Sequence, residues 1–69
     1  MDKVLATTIV KAAVSLDGPL GELDAAISSI ADQSEKRVWV RRFGEVLRVV
    51  NEELIRPVVR EYPDLDPDP

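Results

Sequence analysis

A chain of 69 residues with no cysteine and no histidine is one small domain that can build neither disulfides nor thiolate or imidazole metal sites. The same two absences remove cysteine nucleophiles and the usual neutral-pH general base. The net charge of −4 is unevenly spread: residues 1–33 carry a net −3, residues 34–60 a net +3, and residues 61–69 a net −4.

Residues 2–16 are predicted to form the first helix. Asp2 suits its N-cap, and Leu5, Ile9, Ala12 and Leu16 recur at helical spacing as its seam. Val4, Val10, Ala13 and Val14 widen the apolar arc beyond one stripe, so burial on more than one side is expected. A strand over residues 4–10 competes through its Thr, Ile and Val, but the following Lys11-Ala12-Ala13-Val14 does not alternate. Thr7, Thr8 and Lys11 interrupt any secretion-signal core, and no run approaches the ~20 apolar residues of a membrane span. A cytoplasmic protein is the expectation.

Asp17-Gly18-Pro19 is the clearest punctuation. Gly18 can close a helix in the left-handed conformation and Pro19 suits the first position of the next, so two antiparallel or steeply crossed helices are expected here. Residues 19–31 carry the narrow stripe Leu20, Leu23, Ile27 and Ile30. Polar residues 33–37 then predict a break, with Asp32 and Glu35 spaced as a capping box and Ser34 as the rival cap.

Residues 35–61 are predicted as the third and longest helix, kinked or ended near Pro57. Val40, Phe43, Leu47, Val50 and Leu54 form its seam, flanked by Trp39 and Val46. Residues 63–69, with three prolines and three aspartates, predict an extended acidic tail whose start Tyr62 and Leu65 could pin to the bundle. No internal repeat or known family motif stands out.

Four candidate sites remain. Lys36, Arg37, Arg41, Arg42 and Arg48 surround Trp39 and Phe43, resembling a basic patch for nucleic acid. Glu45 and Glu52 sit at pairing distance from Arg41 and Arg48, which favours a salt-bridged solvated face. Trp39 suits either a core edge or an interface anchor. Val38, Val49, Ile55 and Val59 lie off the seam and suggest a second contact surface. Asp64, Asp66 and Asp68 alternate like the start of a calcium loop, but its glycine and later glutamate are missing, so no metal site is expected. The serines and threonines have no histidine to activate them, which argues against catalysis.

The resulting expectation is an all-α three-helix unit over residues 1–62 with a tail over 63–69. It would act as a non-enzymatic protein–protein interaction module: a small regulator, adaptor or inhibitor. Its candidate contacts are Val38, Trp39, Val49, Ile55 and Val59, and its partner is a second copy, another protein, or both. No cofactor and no membrane partner are expected. A nucleic-acid-binding regulator using residues 36–48 and a structural subunit of a larger assembly are the alternatives.

Overall fold

The computed structural model describes residues 1–68. It is all-helical, with α1 (Lys3–Val14), α2 (Asp17–Ser28), α3 (Gln33–Val49), a π-helical segment (Val50–Ile55), α4 (Arg56–Glu61) and a 3-10 turn (Pro63–Leu65). These pieces join end to end into two long arms. The first arm runs Lys3–Ser28 and the second from α3 through α4. The arms fold back on each other at residues 29–32, so that α2 packs on α3 and α1 on the π segment. The hairpin measures 47 × 20 × 18 Å.

Two arms, rather than three helices, follow from what happens at the expected turn. Ser15 (φ −63°, ψ −14°) and Leu16 (φ −70°, ψ −12°) stay right-handed, and no glycine among the described residues has positive φ. The Leu16 N–H donates to the Ala13 carbonyl at 3.1 Å, tightening the helix for one turn, and Leu20 resumes the α pattern on Leu16 at 2.8 Å. Pro19, third in α2, sits where its missing N–H costs least. The ladder therefore bends and continues. At 26 residues, with mean hydropathy 1.2 over its most apolar window, this arm is long and apolar enough by length and composition to cross a membrane. The residue-by-residue reading missed that property, because Lys11 and Asp17 interrupt the run without lowering its average below that level.

Both predicted aspartate caps are in place. Asp2 accepts from the Leu5 N–H at 2.8 Å and Asp32 from the Glu35 N–H at 3.2 Å, each satisfying an orphan donor of a first turn. Asp32 rather than Ser34 is the cap of α3.

The second arm runs through Pro57 because the π segment precedes it. The Arg56 N–H donates to the Asn51 carbonyl five residues back, the wide turn of a π-helix. A proline ring normally clashes with the carbonyl four residues before it, and a wide turn relieves that clash. The segment also resets register. Helix spacing from Phe43 and Val50 leads next to Leu54, yet Leu54 is 44% exposed and Ile55, Val58 and Tyr62 continue the packed stripe. One extra residue in the turn rotates the stripe by about 100°, the angle of one α-helical residue.

The same comparison corrects the seams. In α1 the packed face is Ala6, Val10 and Ala13, while Leu5 (51% exposed) and Leu16 face out. Small residues won because they let the two arms approach closely. In the second arm Val40, Leu47 and Leu54 are exposed, leaving Phe43 and Val50 half-buried. The compact cluster is Ala6, Val10 and Val58, with Ile9, Val14, Tyr62 and Leu65 packed around it.

Tyr62 and Leu65 thus belong to the fold, and the chain after Tyr62 opens as a docked 3-10 turn instead of an extended tail. The Tyr62 hydroxyl donates to the Met1 carbonyl at 2.8 Å, and Lys3 pairs with Asp64. The Lys3 ammonium, by hydrogen bond and charge, holds the Asp64 carboxyl below its ordinary value of 3.8. A depressed folded-state value means that the pair helps the fold above the unfolded pKa and is lost as pH falls through the folded one. Acidification below pH ~4 is therefore expected to loosen this clasp before the arms separate, and to do nothing in a Lys3→Ala variant. Amide exchange at residues 63–66 followed against pH measures it; identical profiles in the two proteins would show that the pair is idle.

Candidate interaction surface

The predicted basic patch does not assemble as one surface. At ~100° per residue the five cations spread around the second arm. Lys36 is half-buried on the side of the first arm, Arg42 lies on the flank with Trp39, and Arg37, Arg41 and Arg48 share the outer face. Arg48 is held between two acids, by Glu45 through its Nε and Nη2 and by Glu52 through Nη1 at 3.1 Å. That contact lowers the Glu45 pKa and raises that of Arg48. All three side chains are more than half exposed, so the bridge contributes little stability, but it neutralises the C-terminal end of the cation run. The expected Arg41–Glu45 pair is absent because Arg48 occupies Glu45.

Arg42 has a different role. Its guanidinium lies 5.3 Å from the Trp39 ring centroid, stacked on the indole as a cation–π pair. Beside them Leu23, Ile27, Phe43 and Val46 complete an almost wholly apolar hollow of about 110 Å³ between α2 and α3. Its walls remain open to solvent: Leu23 is 51%, Val46 48% and Trp39 44% exposed.

This hollow is part of a longer face. Leu5 and Leu16 fall, at ~100° per residue, on the same flank of the first arm as Leu23. Val38 and Val49, both 40% exposed, lie farther around the same flank of the second arm. The sequence places Trp39 at the edge of the seam and Val38 and Val49 nearly opposite that seam, and the structure leaves all three exposed. It separates Ile55 and Val59 from them. Those two are half-buried and line a hollow with Asn51, Pro67 and Asp68, covered by the chain after Tyr62. Leu5, Leu16 and Leu23 were missed as surface residues. Their leucine spacing signals an apolar seam equally well whether the seam is inside or outside.

The opposite flank carries an open groove of about 300 Å³ between Leu20 and Leu47, with Asp17, Asn51 and Asp68 at its edge. Chemistry is sparse throughout. Thr7, Thr8 and Ser29 donate to the carbonyls of Lys3, Val4 and Ala25, and Ser15 to that of Ala12, so these hydroxyls are committed to their own helix. Among the described residues no three acidic side chains gather as a metal site, and no polar side chain is buried. The Tyr62 hydroxyl is raised above its ordinary pKa, first by burial and then by Glu61, and serves as a tie to Met1.

Comparison with known proteins finds no match to this chain among family models, curated proteins or solved structures.

Proposed function

We propose that this chain is a non-enzymatic protein–protein interaction module, a helical hairpin that binds through the apolar flank formed by Leu16, Leu23, Trp39, Val46 and Val49. The observation that carries the reading is the exposure of that flank. Five large apolar side chains on one side of two helices stay 37–51% exposed, while among the described residues only Ala6, Val10, Ala13, Ile27 and Val58 are buried. Contiguous apolar surface on this scale marks a contact site, and a stacked Trp–Arg pair at its centre is of the composition that anchors such contacts.

The nucleic-acid reading is weaker on the same surface. Phosphate binding needs uncompensated positive charge, and here Arg48 is doubly paired, Arg42 is on Trp39 and Lys36 is half-buried. Pull-down from a native extract separates the two. Leu23→Glu should abolish capture of the partner, and paired Arg37→Glu and Arg41→Glu substitutions should leave it intact. Capture lost in the arginine variant and retained in the leucine variant would reverse the assignment.

A further inference from the structure

We propose that the occupant of this flank is a second copy of the chain, giving a twofold-symmetric four-helix bundle in which the acidic arm of each copy lies on the basic arm of the other. The inference rests on the reading of the flank as a contact site and commits it to one partner.

Area is the first argument. The hairpin exposes 5206 Å². A compact monomer of 7.7 kDa is expected to expose ~4,300 Å². The excess, roughly 900 Å², is about what each partner buries in a standard stable interface, ~800 Å². Shape agrees: the radius of gyration is 14.8 Å against ~11 Å for a compact chain of this length. What one hairpin lacks is one more two-helix layer.

Charge selects the copy and its orientation. The first arm, Lys3–Ser28, carries two lysines against three acids, net −1, and the second, Gln33 to Glu61, seven basic residues against five acids, net +2, so the two arms are oppositely charged rods held side by side. Two hairpins can stack face to face about either of two in-plane axes. An axis across the helices would lay like arms on like, acid on acid and base on base. An axis along the helices lays each first arm antiparallel on the other copy's second arm, pairing opposite charges. That arrangement also keeps heights matched. Leu23, which shares the hollow with Trp39 and Val46 of its own chain, then meets Trp39 and Val46 of the second copy. Arg42, at the rim of the same hollow, comes within reach of the second copy's Glu22, one residue before Leu23. Every helix in the bundle has antiparallel neighbours, the usual up-and-down packing.

Sedimentation of the full chain from roughly 10 to 300 μM tests this, because association follows mass action. Twice the 7.7 kDa chain mass is expected. Leu23→Glu and Val46→Glu, both at exposed positions of the hairpin, should each weaken the dimer at least ~100-fold, as a charge buried against apolar partners requires. If either variant unfolds, the unaltered chain still decides: its melting temperature must rise with concentration. Added salt must weaken the dimer, and Arg42→Glu must weaken it with partial recovery on adding Glu22→Arg. A monomer mass across the whole range with a concentration-independent melt overturns the proposal. So does a monomer that co-sediments with phosphatidylcholine vesicles, which would assign the flank and the 26-residue arm to lipid. A dimer strengthened by salt overturns the opposite-arm orientation. The broader reading fails separately, when Leu23→Glu and the unaltered chain capture the same proteins from extract.

Discussion

Val58→Asp is expected to abolish the folded state. Val58 is 3% exposed and packs with Ala6 and Val10 where α4 crosses α1. A carboxylate there would sit in the cluster of Ala6 and Val10, with Ile9, Val14, Tyr62 and Leu65 packed around it. Burial of an unpaired charge costs several kcal/mol even after relaxation. A domain of this size has only about 3–5 kcal/mol to lose. The contrasting substitution is Val4→Asp in the same helical arm system, at a site 80% exposed, where helicity and melting should be unchanged. Circular dichroism with urea melts reads both. A Val58→Asp protein that melts with the parent would show that the arms are held elsewhere.

The small size of this core explains the distribution of stability along the molecule. Among the described residues no large side chain is fully buried, and the core cluster lies at one end, where both termini of the hairpin meet. The other end holds Ile27 against the Trp39–Phe43 hollow. The clasp of Tyr62 on Met1 and of Asp64 on Lys3 closes the first end, and Leu65 shields the cluster there. Leu65→Ala should therefore lower stability by about 1–2 kcal/mol, the order expected for truncating a half-buried leucine. A urea midpoint unmoved by the substitution would place Leu65 outside the cluster. By the same logic Leu47→Ala, at a seam position that proved 41% exposed, should cost less than the ~2–5 kcal/mol of a buried leucine.

Helix type was legible in the sequence, and so were the two aspartate caps, because both depend on residues within one turn. The faces were less so. In α1 two apolar stripes compete, Leu5-Ile9-Ala12-Leu16 and Ala6-Val10-Ala13, and hydrophobicity alone ranks the leucine stripe higher. Close approach of two helices selects the smaller side chains, which is a property of the pair and invisible in either helix. Asp17-Gly18-Pro19 carries the composition of a turn, yet Asp17 and Pro19 also suit a helical first turn. Local chemistry permitted both outcomes, and the packing of α1 and α2 along the second arm accompanies continuation. On the candidate surface, Val38 and Val49 stand out in the sequence because they fall off the seam, while Trp39 flanks it; the leucines keep the helical period and so look like core.

The last expectation concerns the π segment, and it is that shortening the protein by one residue there will be tolerated. The packed stripe of the second arm runs Phe43, Val50, Ile55, Val58, Tyr62: one interval of five, preceded by a two-turn step of seven and followed by steps of three and four. That interval spans Val50–Ile55, the π-helical turn. Deleting exposed Glu53 converts the step of five to four, and an ordinary α-helix then presents the same stripe without the wide turn. The wide turn also accommodates Pro57, so the deletion must be made with Pro57→Ala to prevent a clash with the carbonyl four residues before it. The double variant should keep the parent's circular dichroism and melt at or above the parent temperature, since an α turn has better hydrogen bonds than a π turn. A single deletion at Thr8 is the opposite case. The first arm has no surplus residue, so the deletion turns Ala6 away from Val10 and Ala13 by ~100° and splits the packed face. That protein should unfold. If both deletions unfold the chain, the π segment is a structural requirement of the hairpin and not an inserted residue; if both are tolerated, the arms are not in the register that places Val10 on Val58.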